Sequence, residues 1–319
     1  MRRIAVLTTG GDAPGMNPAI RGVVRYAIAN KLEVVGVMRG WQGLINDELK
    51  EMDHRSVSGI ISQGGTILKT SRCPEFKTKE AQDKAFAVVK KHGIDGLVVI
   101  GGNGSFAAAH YFGRNYDLAC VGIAASIDND VNGLDYTFGS DTAINTALNA
   151  IDNIRDTATS MERVFVVEVM GRDCGFIALS VGLAGGCEDV FIPEHPFDLE
   201  AECREIVRGN TIGKVSWIII LAEGAGKAED VARQINGITG LETRAVTLGH
   251  VQRGGRPTAF SRDLALRLGK EAVDVLLEGE RDKAVGLAKG KIVRIDLETA
   301  IKKKEFDLEG IYKLIKILT

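Results

Sequence analysis

The sequence is short of most features that would assign a protein to a membrane, a secreted scaffold or a nucleic acid. Among its 319 residues there are only 6 prolines and 2 tryptophans, and the formal net charge is −2. No apolar run reaches the roughly 20 residues a helix needs to cross a bilayer. The near-neutral balance gives no broad basic surface for a polyanion, so neither nucleic acid nor membrane is expected as a partner. The cysteines, Cys73, Cys120, Cys174, Cys187 and Cys203, are odd in number, scattered and without CxxC spacing. That excludes a disulfide framework or a thiolate zinc site and predicts reduced thiols in a cytoplasmic protein. A strand pattern starts almost at the first residue, so no signal peptide is expected.

Glycine is plentiful, with 38 residues in a chain that is 45% hydrophobic. Apolar runs at 4–7, 34–37, 97–100, 121–123, 164–169, 217–221 and 245–248 read as buried strands. Amphipathic stretches at 18–27, 80–91, 143–157, 199–208 and 261–277 read as the helices between them. Strand–helix alternation of this kind predicts βαβ units, hence an α/β fold of mostly parallel sheet covered on both faces. No low-complexity linker marks a domain boundary, and the weakest point lies at 135–141.

Three apolar runs end in glycine-rich or acidic turns: Gly10-Gly11-Asp12-Ala13-Pro14-Gly15, Gly101-Gly102-Asn103-Gly104-Ser105, and Ser126-Ile127-Asp128-Asn129-Asp130. Glycine lets backbone approach a ligand, and helix N-termini at strand ends favour phosphate. The first turn is neither a Walker A loop nor a dinucleotide fingerprint, and alone it could be a tight turn. In the third, an extended backbone would point Asp128 and Asp130 to the same side, one as a base and one beside Mg²⁺. An Asx-turn in a surface loop is the other reading. Further along, Gly249-His250-Val251-Gln252-Arg253-Gly254-Gly255 offers an imidazole and a guanidinium between glycines, with Arg244 upstream and Arg163 opening another strand. Met170-Gly171-Arg172 and Glu223-Gly224 end two more runs. Arg172 suits developing phosphoryl charge, and Glu223 suits a sugar hydroxyl or a helix cap. Phosphate cradles with carboxylates and guanidinium groups point to metal-assisted phosphoryl transfer.

These motifs, together with Gly64-Gly65-Thr66 through Arg72 and the run 184–188, occur in the order in which the bacterial 6-phosphofructokinases carry them. The chain resembles that family over essentially its full length. The resemblance implies two doubly wound domains, 1–139 plus 252–303 for nucleotide and 140–251 plus 304–319 for sugar phosphate, with the active site in the cleft between them. It implies a homotetramer that moves the ATP γ-phosphate to the 1-hydroxyl of fructose 6-phosphate. By position, Asp128 would be the base, and Ser126 and Arg172 would stabilise the moving phosphoryl group. Asp130, Met170, Gly171, Glu223, His250 and Arg253 would hold the sugar phosphate, with Arg163 and Arg244 entering from a neighbouring subunit. Gly11, Arg72, Cys73, Gly102, Asn103, Gly104 and Ser105 would line the nucleotide. Asn103 and Asp130 would be the metal ligands for Mg²⁺.

Departures from the family pattern qualify this. Asn103 replaces the usual metal-binding Asp, so weaker metal binding is expected. Ala124-Ala125-Ser126 replaces Pro-Gly-Thr, and Trp41 and Cys73 replace aromatic residues near the nucleotide. Pyrophosphate-using relatives carry Asp at the position of Gly104 and Lys before that of Ser126, so Gly104 and Ala125 favour ATP. Arg21, Arg25, Arg155, Gly186, Glu188 and Lys214 match an ADP or phosphoenolpyruvate effector site. His54 and Ile212 replace basic residues there, which predicts weakened control. A pyrophosphate-dependent or different-sugar kinase, and a catalytically weak regulatory paralogue, are the alternatives.

Overall fold

Each apolar run named above becomes a strand and each amphipathic stretch a helix, but the structure adds elements that periodicity does not signal. In a computed structural model describing residues 1–306 and 309–318, the order begins β1 (Arg3–Thr8), α1 (Met16–Ala29), β2 (Glu33–Val37), α2 (Gly40–Ile45), β3 (Leu49–Met52), α3 (Lys79–Lys91). It continues β4 (Gly96–Gly101), α4 (Asn103–Tyr116), β5 (Ala119–Ser126), β6 (Phe138–Gly139), α5 (Ser140–Met161), β7 (Val164–Val169), α6 (Phe176–Ala184), β8 (Asp189–Phe191). Then follow α7 (Leu199–Thr211), β9 (Trp217–Ala222), α8 (Ala228–Thr239), β10 (Thr243–Thr247) and a 3-10 turn Gly249–Arg253. The chain closes with α9 (Ala259–Leu277), β11 (Lys283–Ala288), β12 (Lys291–Asp296), α10 (Leu297–Ala300) and α11 (Glu309–Leu318).

Two units divide the chain. The first is Met1–Thr142 with Arg253–Glu305, and the second is Ala143–Gln252 with the described residues from Phe306 onward. The first unit's sheet has the order β12-β11-β5-β4-β1-β2-β3, with β6 added to β5. Its centre is parallel, and β3 and β12 run antiparallel at the edges. Lys289 and Gly290 both have positive φ, 51° and 71°, the two-residue turn that joins β11 to β12. On one face α2, α3 and α4 bury Trp41, Leu44, Ala85, Phe106 and Phe112 in one cluster. On the other face α1 meets α9 where a side chain at Gly22 would strike Leu266 O and one at Gly269 would strike Ala19 O.

Trp41 corrects one expectation. It is 3% exposed and stacks on Phe76 at 4.3 Å, so it is a core residue and not a wall for nucleotide. The second unit has one parallel sheet, β10-β7-β9-β8, whose strands β7 and β9 are almost wholly buried. Among the described residues no helix is long and apolar enough to cross a membrane, and all five cysteines are free thiols.

Candidate active site

In the first unit the connection from β1 leads to β2 on one side of it, while that from β4 leads to β5 on the other. Strand order therefore reverses between β1 and β4, the place where parallel sheets open a crevice at their carboxyl ends. The turns after β1, β4 and β5 flank this point on three neighbouring strands. Thr9 N donates to Ile100 O at 3.1 Å, and Ser105 Oγ donates to Thr9 O at 3.1 Å. Gly101 is required here, because a Cβ would lie 2.3 Å from Ser105 Oγ and 2.7 Å from Thr9 O. Helix α4 opens at Asn103, so its N-terminus faces the crevice end of β4 and favours an anion there.

Gly11 lies against a guanidinium: its Cβ would come 2.6 Å from Arg253 Nη1, which donates to Asp12 O at 3.1 Å. Arg253 thus belongs to the glycine cradle of the first unit. Arg72 is exposed, and Cys73 is half-buried on the aromatic cluster, burial pushing its thiol pKa up. Around Gly104 nothing comes within 4 Å of where a Cβ would sit.

The acidic turn is not extended. Asn129 has φ 54°, so Asp128 and Asp130 do not follow the alternation of a strand, contrary to the premise read from their spacing. Asp128 is 4% exposed and Asn129 fully buried. Asn129 Nδ2 donates to Asp135 O at 2.9 Å, and its Oδ1 accepts from Thr137 N at 2.9 Å. Ser126 Oγ accepts from Asp128 N and donates to Asp130 Oδ1, both at 3.1 Å. Asn103 Nδ2 reaches Asp130 O at 2.9 Å and Asp130 Oδ2 at 3.2 Å. That leaves Asn103 Oδ1 buried without a hydrogen-bond partner among the described residues. No cluster of three or more His, Cys, Asp or Glu that could hold a metal occurs among them. One orphaned amide oxygen beside one carboxylate suits a cation whose other ligands are phosphate and water, which is the habit of Mg²⁺.

In the second unit β7, β9 and β10 end side by side. Glu223 Oε1 accepts from Gly171 N at 3.3 Å and from Arg172 N at 2.8 Å. Its carboxylate therefore holds a backbone turn and caps no helix. Gly224 packs on that turn, a Cβ there falling 2.1 Å from Arg172 O. Arg172 sits at φ 54° after Gly171 at φ 143°, a conformation costly for a non-glycine residue and met where surroundings enforce it. Met170 N donates to Gln252 Oε1 at 2.8 Å. Gln252 is fully buried, and no role for it is legible from sequence because its partner lies 82 residues away. His250, two residues earlier, is exposed.

Arg163 and Arg244 converge on one carboxylate. Arg163 Nε lies 2.9 Å from Glu242 Oε2 and Arg244 pairs with the other oxygen, which holds Glu242 below the usual carboxylate range, Arg163 contributing most. Arg155 Nη2 donates to Gly185 O and Gly186 O at 2.6 and 2.8 Å. Glu188 accepts from Ile218 N at 2.7 Å and lies 3.5 Å from Lys214. Arg21 and Arg25 stand one turn apart on α1 in the first unit, Arg21 donating to Val57 O at 2.7 Å. His54 and Ile212 are both exposed.

The phosphofructokinase sequence profile matches residues 3–276. A Clostridium botulinum protein named ATP-dependent 6-phosphofructokinase is 50% identical over 320 residues, covering 100% of both chains. One of the same name from Clostridium acetobutylicum is 53% identical over 301 residues, 94% of each. The phosphofructokinase of Saccharomyces cerevisiae superposes with TM-score 0.90 at 35% identity over 100% of this chain and 47% of its own. A pyrophosphate-dependent phosphofructokinase from Marinobacter aquaeolei reaches TM-score 0.87 at 22% identity, over 97% of this chain and 86% of its own, a likeness of fold alone. With its glycine cradle, acidic turn and Arg172 turn each at the end of a parallel strand, this chain belongs to the phosphofructokinase family.

Proposed function

We propose that the protein transfers the γ-phosphate of ATP to the 1-hydroxyl of fructose 6-phosphate, giving fructose 1,6-bisphosphate and ADP. The observation that carries this reading is the buried Asp128 at the end of β5, beside the β1–β4 crevice with its glycine turns. Asp128 takes the proton of the attacking hydroxyl. Arg172, its backbone fixed by Glu223, offers a guanidinium to the charge on the moving phosphoryl group, and Ser126 supports it. Met170, Gly171, Glu223, His250 and Arg253 orient the sugar phosphate, while Gly11, Arg72, Cys73 and 102–105 receive the nucleotide. Asn103 Oδ1 and Asp130 would hold Mg²⁺ together with the nucleotide, where the ion would neutralise phosphate charge. Catalysis then rests on positioning and charge stabilisation.

ATP is favoured over pyrophosphate because Gly104 leaves open space where a carboxylate would crowd the donor. The protein works in the cytoplasm as a homotetramer, Arg163 and Arg244 serving a neighbour's site. An ADP or phosphoenolpyruvate site uses Arg21, Arg25, Arg155, Gly186, Glu188 and Lys214, with control weakened at His54 and Ile212.

The test is turnover of fructose 6-phosphate with ATP or pyrophosphate across a Mg²⁺ titration. ATP-only turnover supports the reading; turnover with pyrophosphate alone, or none with either donor, sinks it. Gly104→Asp fits the open space, so it should keep the parent's melting temperature yet lower kcat/KM for ATP at least about tenfold, near the ~1.4 kcal/mol of one displaced phosphate contact.

A further inference from the structure

The last residues of the first unit, before the chain leaves it after Glu305, touch the acidic turn. Val131 forms an isolated antiparallel bridge with Lys303, which sets the register of the two segments. Lys304 Nζ then donates to Asn129 O at 2.9 Å. We propose that Lys304 is a positioning residue for the turn that carries Asp128 and Asp130, acting through the Asn129 carbonyl. The inference rests on the phosphofructokinase reading of that turn.

Asn129 is held from its side chain by Asp135 and Thr137 and from its main chain by Lys304. Asn is among the few residues with a Cβ that visit the left-handed conformation, and here side-chain and main-chain bonds together hold it there. A hydrogen bond from an ammonium is stronger than one from a neutral donor. In sequence Lys302-Lys303-Lys304 reads as a solvated basic run, and nothing local distinguishes the third lysine.

The experiment compares Lys304→Met, Lys304→Arg and a control at exposed Lys302, Lys302→Met, in the full chain. Steady-state kinetics with ATP and fructose 6-phosphate should show kcat for Lys304→Met lower by about 10- to 100-fold, the usual cost of a small misplacement. KM for ATP should stay within about twofold, since the cradle of β1 and β4 is untouched. Lys304→Arg should recover most of the loss and Lys302→Met should match the parent. Amide exchange at 127–131 should quicken in Lys304→Met alone. Lys304→Gln, a milder loss of charge, replaces the Met variant if that one does not fold. The proposal is overturned if the charge-removing variant keeps the parent's kcat, or if Lys304→Arg falls as far as it does, or if exchange at 127–131 is unchanged. A parent without turnover would overturn the kinase reading instead, and the exchange comparison would still decide whether Lys304 holds the turn.

Discussion

At the scale of one residue, Asp128→Asn keeps volume and burial but removes the proton acceptor. Its kcat should fall about 10²- to 10⁴-fold with KM for fructose 6-phosphate little changed, as expected for loss of a general base. Steady-state assays check this, and a kcat within about tenfold of the parent would assign the base elsewhere. Asn103 is the more instructive position. Its amide donates to Asp130 at 3.2 Å, so Asn103→Asp would bring two carboxylates to that separation. Without a cation they repel, and with one between them the pair becomes a better site. The variant's melting temperature should therefore drop in EDTA and rise with Mg²⁺, while the parent's responds weakly. Equal Mg²⁺ responses would mean that position 103 lies outside the metal's reach. The exchange of Asp for Asn thus has a local physical account: it trades a repulsion that needs metal for a hydrogen bond that does not.

At the scale of elements, α11 is tied down by charge. Lys316 Nζ lies 2.8 Å from Asp189 and 2.9 Å from Glu202, joining α11 to β8 and α7. Burial, with Asp189 beside it, pushes the Glu202 carboxyl pKa up to about 7. The folded state then binds more protons than the unfolded one between the ordinary carboxylate range and about 7, so this group's contribution to stability is lost as pH rises through that window. Glu202→Gln should flatten the fall in melting temperature between pH 5 and 8, by about one degree or a few; an unchanged slope would assign it to other groups. Most strands legible in the sequence are buried parallel ones, such as β4 and β7, where both faces demand apolar side chains; β10, read as buried, is a partly exposed edge strand. Those that were not include the edges β3 and β12, which alternate weakly, β6 and β8 with two and three residues, and the interior strand β11, of which only three residues are buried. The turns that end the buried parallel strands were readable for the same reason. Asn129, Gln252 and Lys304 were not, because their partners are either a turn conformation that spacing does not encode or residues far along the chain.

At the scale of the whole molecule, the pairing of Arg163 and Arg244 on Glu242 bears on assembly. If those guanidinium groups serve a neighbouring subunit, Arg244→Ala and Asp128→Asn homomers should each be nearly inactive, yet regain activity when dissociated together and reassembled. In a hybrid, one site combines an intact Asp128 with an intact Arg244 from its neighbour. No recovery would show that Arg244 acts within its own chain. A last consequence concerns the run 250–253. Gln252 accepts from Met170 N, and the very next residue, Arg253, donates to Asp12 O through one of its guanidinium nitrogens. Val251, just before them, is 62% exposed. Substitutions at 251 are therefore free to drift among descendants of this sequence, whereas loss of the codon for Gln252 or for Arg253 would take one anchor away.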